Sequence, residues 1–280
     1  MTRGINHLVL AADDLDRQRD FYQALGFTLA PRGQHPFGTG NTVIQLRGNY
    51  LELLAVTRPE LVIEHGEHAF SFSAFNRDYL ARHEGFSMLV LDSANAADDI
   101  VRWRMAGLPT YAPVLFSRPA RMVDGTDTTV GFSLAFTSNQ DAPWLGHFAC
   151  QHYNPDYYAQ EAYQRHDNTA TTVLDVWISG EGALDLAEHF AAFTGVDAER
   201  DHGTVTFRTR SGDVVLATPQ EFERSFGMLP PQLADGPHLA SLTIGCNGFV
   251  RADGFEFVRV GDRHVLEREA FGTVLAFADI

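Results

Sequence analysis

Cysteine, positive charge and long apolar runs are all scarce in this chain. Only Cys150 and Cys246 occur among 280 residues. Two thiols make no disulfide framework, which fits a reducing compartment. Lys and Arg together number 21 against 36 Asp and Glu, a net charge of −15. Nucleic acid is held by clustered cations, so that partner is excluded. An anionic small substrate is not, because a local pocket can differ from the whole surface. No apolar stretch approaches the roughly 20 residues that span a bilayer, so no membrane partner is expected. Met1-Thr2-Arg3-Gly4 runs straight into an apolar strand without a signal-peptide pattern. A soluble cytoplasmic protein is the expectation. Walker, Rossmann and serine-hydrolase motifs are missing too, and with them any support for those chemistries.

What is present is a globular composition, 45% hydrophobic and 20% charged. The length suits one large domain or two of ordinary size. Residues 4 to 55 set the pattern. Ile5 to Ala12 is an apolar run too short for a helix and reads as a strand. Asp13-Asp14 can cap a helix. Leu15, Phe21, Tyr22 and Leu25 share one helical face, and Gly26 stops that helix. Strands are predicted at Phe27 to Ala30, Thr42 to Leu46 and Tyr50 to Val56, giving a βαβββ unit.

The unit recurs. A strand at 85–92, a helix at Ala96 to Met105 and strands near Ala120 to Val123, Val130 to Thr137 and Leu145 to Gln151 form a second copy. A third begins at Thr172, with a helix from about Gly182 to Phe193 and strands at Thr204 to Thr209 and Asp213 to Ala217. The helix-ending glycines Gly26, Gly107 and Gly195 lie 81 and 88 residues apart, the long period of duplicated supersecondary units. From His238 onward a fourth copy is degenerate, with strands joined by tight turns such as Gly261-Asp262 and no helical pattern. The fold class is therefore α+β: repeated βαβββ modules in two paired halves, the last module degenerate, with curled mixed sheets enclosing a cavity. Domains are expected at 1–153 and 172–280. Between them, 154–171 is a connecting helix or linker, started by Asn154 as cap and Pro155 in the first turn. Thr218-Pro219-Gln220-Glu221 has capping-box spacing and predicts a short helix.

Two polar residues interrupt apolar strands. His7 lies in the first strand and Glu52 in the last strand of the first unit. A buried carboxylate is costly unless paired or bound to metal, and imidazole with carboxylate is an ordinary ligand pair for a divalent ion. The alternatives are a hydrogen-bonded core histidine and an exposed edge-strand glutamate. The segment His35 to Asn41 reads either as a Gly/Pro-rich hairpin or as a loop reaching into a cavity mouth. Cys150 reads as a buried small residue, since no base partner is evident.

The frame His7-Leu8-Val9-Leu10-Ala11-Ala12-Asp13-Asp14-Leu15, then Phe21-Tyr22-Gln23-Ala24-Leu25-Gly26-Phe27 and later Glu52, resembles the vicinal oxygen chelate superfamily. That superfamily includes glyoxalase I, extradiol dioxygenases and bleomycin-resistance-type binding proteins. The stretches Gln34 to Asn41, Cys150-Gln151-His152 and Gln164 to Asn168 are similar to its glyoxalase-like subgroup. The resemblance is strong over 4–170 and weak beyond about 200. It implies His7 and Glu52 as ligands of a divalent ion (zinc, iron, manganese or nickel), or a relative with none. It also implies Glu52 as the proton acceptor, His35, Asn41, Phe86 and His152 as substrate contacts, and a homodimer as an allowed assembly. Phe86 stands about where the second module would carry its His, and Phe148 to His152 has no Glu. In the third module Val176 and Leu216 fall near the ligand places. So one half-set of ligands survives, with His152 or His35 available to complete it. Metal-assisted lyase, isomerase or oxygenase chemistry on a small substrate with vicinal oxygens is the first expectation. A metal-free protein that sequesters an aromatic small molecule is the second, and a ring-cleaving dioxygenase the third. Phe37, Phe86, Phe148 and Tyr153 are candidates to line the pocket, and Arg118 and Arg121 to meet an anionic substrate.

Overall fold

The computed structural model describes residues 3–280; the Met1-Thr2 lead into the first strand lies outside them. The first half runs β1 (Ile5–Ala11), α1 (Leu15–Ala24), β2 (Gly33–Gln34), β3 (Thr39–Gln45), β4 (Tyr50–Val56), α2 (Phe72–Leu80), β5 (Gly85–Asp92), α3 (Ala96–Met105), β6 (Val114–Arg121), β7 (Asp127–Thr137) and β8 (Gly146–His152). The second half runs β9 (Ala170–Ser179), α4 (Ala187–Thr194), β10 (Glu199–Asp201), β11 (Thr204–Arg208), β12 (Asp213–Ala217), α5 (Pro219–Phe226), β13 (His238–Cys246), β14 (Phe257–Val260), β15 (Arg263–Leu266) and β16 (Val274–Asp279). Among the described residues no helix is long and apolar enough to cross a membrane.

Local chemistry places the elements. Asp14 accepts the backbone N–H groups of Asp16 and Arg17 and caps α1; Gly26, at φ +88°, turns the chain out of that helix. Ser71 caps α2 by accepting the N–H of Ala74, a helix that the sequence pattern missed. Phe27 to Ala30 is not a strand. Its backbone is held to the helix end by Phe27 N donating to Tyr22 O. Pro31, with no N–H for a ladder, separates it from the short β2, which pairs through Gly33 with Asn41. The predicted connecting helix after Pro155 is instead two 3-10 turns, Pro155–Tyr158 and Glu161–Tyr163.

Each half forms one eight-stranded mixed sheet, ordered β2-β3-β4-β1-β5-β8-β7-β6 and β10-β11-β12-β9-β13-β16-β15-β14. In each, two modules meet where a pair of central strands runs antiparallel. The fourth module has no helix between β13 and β14, as its sequence predicts. A large apolar core sits between the outer faces of the two sheets and contains residues of α1, α3 and α4, among them Tyr22, Trp103, Phe190 and Phe193. Each such ring contributes about 1.5–3 kcal/mol by burial. Polar contacts tie the halves at its rim: Arg3 Nη1 donates to the Phe193 carbonyl at 2.5 Å, and Arg210 pairs with Asp92.

The two concave faces differ. In the second half, Phe222 and Phe226 of α5 fill the hollow against Trp177, and Arg263 pairs with Asp175 at 2.9 Å. Val176 and Leu216 do not face that hollow. Both belong to the core between the sheets, while their neighbours Trp177 and Val215 point inward, because adjacent strand residues alternate faces. In the first half a hollow remains.

Candidate functional site

That hollow is a small cavity in the first sheet. His7 on β1 and Glu52 on β4 both point into it, because the parallel register sets Tyr50 beside His7 and Glu52 beside Val9. Both are almost fully buried, at 4% and 5% exposure. Rings of Phe37, Phe72, Phe116, Phe132 and Phe148, with Tyr50 and Tyr158, form the walls. Phe148 meets the His7 imidazole edge-on at 5.7 Å, and Tyr50 stacks on it at 4.5 Å.

Hydrogen bonds fix which nitrogen of His7 is free. The Asn6 side-chain oxygen lies 2.6 Å from His7 Nδ1 and 3.0 Å from His152 Nε2. An amide oxygen has no proton, so both ring nitrogens donate to it. The Nε2 lone pair of His7 is left facing Glu52 Oε2 at 3.6 Å. His35 Nε2 approaches Glu52 Oε1, also at 3.6 Å, while His35 Nδ1 sits 2.8 Å from the Thr39 hydroxyl. Both gaps are too long for a hydrogen bond. Asn41 Nδ2 donates to Glu52 Oε1 at 2.5 Å.

Burial governs the protonation states. It pushes His7 well below the ordinary histidine range, helped by the neighbouring His152 and His35. It takes His35 down to about 3 and His152 to about 4, so all three imidazoles are neutral at physiological pH. The Glu52 carboxyl is pushed up to about 7 by burial, against the opposing pull of the Asn41 hydrogen bond and the Arg118 charge. His7 and Glu52 are therefore not an ion pair. They are a neutral imidazole and a carboxyl poised between its two forms.

The structure thus brings His7, Glu52, His35 and Asn41 into one cluster. Phe86 is elsewhere. Sequence equivalence had placed it opposite His7, but β1 and β5 cross antiparallel about Leu8 and Leu89, with His7 beside Val90 and Val9 beside Met88. That local two-fold relates each residue to one 81 positions later. Phe86 matches Ile5, and both are buried in the core between the sheets. The true counterpart of His7 is Met88. By the same register, Val9 beside Glu52 corresponds to Val90 beside Phe148, so Phe148 replaces the second carboxylate. Gly146 makes room for this apolar filling: a Cβ there would lie 2.5 Å from Met88 Cγ and 2.9 Å from Phe75 of α2.

His152 lies behind Tyr50, whose hydroxyl is 3.5 Å from its Nε2. It lines an adjoining pocket with Asn6, Asn49 and Gln164. Tyr153 is 54% exposed and lines neither space. Cys150 is buried in the cavity wall, and burial raises its thiol well above the ordinary range. Sequence reasoning missed Asn6, Tyr50, Phe72, Phe116, Phe132 and Tyr158. Only Asn6 carried a signal, as a second polar residue in an apolar strand.

A glyoxalase-like domain profile matches residues 5–194. The chain belongs to the glyoxalase-like domain family. It lies within the vicinal oxygen chelate superfamily, and three solved structures share its glyoxalase-like architecture across nearly the whole length. A hypothetical protein from Staphylococcus aureus is 15% identical, with a TM-score of 0.73 over 99% of this chain and 100% of that one. A mutant of 4-hydroxymandelate synthase from Streptomyces coelicolor is 14% identical, with a TM-score of 0.57 over 99% of this chain and 92% of that one. The Mn(II)-bound glyoxalase from Novosphingobium aromaticivorans is 10% identical, with a TM-score of 0.55 over 100% and 83%. At these identities the likeness is one of fold. No curated protein matches the sequence.

The donor set suits a borderline divalent ion. A neutral imidazole with its Nε2 lone pair free and a carboxylate oxygen face one gap, and the hydrogen bond from His7 Nδ1 to the Asn6 side-chain oxygen is the kind that orients a ligating histidine. Among the described residues no three His, Cys, Asp or Glu side chains close into a ligating cluster. His7 and Glu52 could hold an ion as a pair, leaving its other positions to water and substrate oxygens.

Proposed function

We propose that this glyoxalase-like protein is an enzyme of proton-transfer chemistry on a small substrate with adjacent oxygen atoms, with Glu52 as the base. What supports this most is the arrangement around Glu52. Its carboxyl, at about 7, divides between acid and base near neutral pH, which is where a general base works best. The aromatic walls exclude water from it, and Asn41 orients it through Oε1, leaving Oε2 toward His7. His7 and Glu52 are the proposed ligands of a divalent ion, which when bound would polarise the substrate oxygens. His35, neutral and lining the cavity, is the proposed contact for a substrate hydroxyl.

A substrate carrying a C–H bond beside its carbonyl would lose that proton to the Glu52 carboxylate, acting as base when not held by an ion, and regain it at the same or a neighbouring carbon. Deuterium wash-in from D₂O, followed by NMR on 2-hydroxy and 2-keto acids and aldehydes with Mn(II) or Zn(II) added, tests this. Exchange lost in Glu52→Gln and restored by no other change supports the reading. Exchange that is equal in the wild type and in Glu52→Gln refutes it.

One observation favours a second reading, sequestration of an aromatic molecule without metal. Met88 and Phe148 occupy the second module's ligand places, and phenyl rings dominate the cavity. Tight binding of aromatics by metal-stripped protein, unaffected by His7→Ala, would select it.

A further inference from the structure

Among the described residues, a buried positive charge beside the cavity, that of Arg118, has no carboxylate within ion-pair distance. Along β6, Leu115, Ser117, Pro119 and Arg121 face outward, and Arg118 alone is fully buried, at 6% exposure. Its guanidinium reaches from this edge strand toward β2 at the other edge of the same sheet. Gly33 admits it, since a Cβ at that position would lie 3.3 Å from both Arg118 Cζ and Nη1. Arginine carries five N–H donors. Here Nη2 donates to the Tyr158 hydroxyl at 3.2 Å and Nη1 to the Pro119 carbonyl at 3.4 Å, while the buried Nε has no acceptor. Tyr157 lies alongside, with its ring centroid 5.8 Å away.

Among the described residues no carboxylate comes within the 4.0 Å of an ion pair with Arg118. Glu52 and His35 feel its charge from farther off. Burying a guanidinium away from any carboxylate partner is costly, and lowering that cost is what an incoming anion would do. The contact with the cavity is Tyr158, whose hydroxyl takes the Nη2 hydrogen bond and whose ring is part of the wall. No Lys or Arg lines the cavity itself, and the chain as a whole repels anions with its charge of −15.

We propose that Arg118 is a specificity-determining residue that selects a small monoanionic aryl carboxylic acid, its carboxylate paired with the guanidinium beside Tyr158 and its ring held between the cavity's phenyl rings. A single cation matches a single negative charge, and a guanidinium fork matches the two oxygens of a carboxylate. The flat apolar walls match a ring. This deepens the proposed function by naming a substrate class, and it rests on that reading only for the chemistry that follows binding.

The test is calorimetric titration of the whole chain, in the presence of a chelator, with phenylacetate, its neutral isostere phenylacetamide, and phenethylamine. The unaltered protein is expected to prefer the acid over the amide by about ten-fold or more, the scale of one charge-assisted hydrogen bond, and to reject the amine. In Arg118→Gln the acid and the amide become equal, and Arg118→Lys keeps part of the gap. Equal affinity of acid and amide in the unaltered protein overturns the proposal, whatever the variants do. So does a gap that survives in a folded Arg118→Gln. Because the titrations contain no metal and no turnover, the preference persists in His7→Ala if only the catalytic reading fails. It vanishes with catalysis intact if only the Arg118 assignment fails.

Discussion

Replacing Glu52 by Gln should stabilise the metal-free protein, and more so as the pH rises. The carboxyl titrates at about 7 in the folded chain against an ordinary value of 4.5, with burial as the main cause. A carboxyl whose folded value is raised contributes its full stability below the unfolded value and loses it as pH climbs through the folded one. At about 1.4 kcal/mol per pH unit, the wild type loses about 3 kcal/mol between pH 4.5 and 7 and nothing further above that. Gln fits the same space, can still accept from Asn41, and does not titrate. The histidines His7, His35 and His152 are common to both proteins, so their acid titration cancels in the difference. Urea unfolding in the presence of EDTA at pH 5 and pH 8 measures it. The stability of Glu52→Gln minus wild type should grow by about 2–3 kcal/mol across that interval. Parallel pH dependence, or a difference of opposite sign, would mean that a buried partner stabilises the carboxylate, and would refute the account of the site. Adding Mn(II) should reverse the ranking at pH 8, since ligand that binds only the folded chain stabilises it by mass action.

Three further outcomes follow from the geometry. His7→Ala should abolish Mn(II) binding followed by calorimetry, with circular dichroism unchanged, whereas Asn6→Ala should weaken binding by about 10–100-fold through loss of the hydrogen bond that orients the His7 ring. Met88→His combined with Phe148→Glu rebuilds the second ligand pair. The apo protein should lose about 3–5 kcal/mol from the lost Phe148 packing and the buried carboxylate, and a melting temperature that rises steeply with added Mn(II) would mark the new site; an unchanged metal response would show the inferred two-fold to be wrong. Trp177→Ala should cost about 3–5 kcal/mol in unfolding free energy while leaving ligand affinity at the first-half cavity intact, because Trp177 packs on Phe222 and Phe226 in the other sheet.

Much of the fold was legible in the sequence because each module carries its own local signals. Asp14 caps a helix, Gly26 ends it, and alternating apolar strands follow at the same spacing, so duplication shows as an 81-residue offset between helix-ending glycines. His7 and Glu52 were legible for a related reason: a titratable group in an apolar strand stands out against its neighbours. α2 was not, because Phe72 to Leu80 has no place in the repeated pattern and its aromatic residues suit a strand as well as a helix. Phe86 was misplaced because an offset wrong by two residues along β5 is invisible until the strands are paired.

The sequence by itself determined the repeated module, the two polar intrusions and the negative charge, all of which depend on residues near one another in the chain. Only the tertiary structure decided which nitrogen of His7 is free, that Met88 and Phe148 close the second ligand place, and that α5 fills one hollow while the other stays open. Those outcomes depend on strand register, and register brings together residues tens of positions apart by packing rather than by local preference.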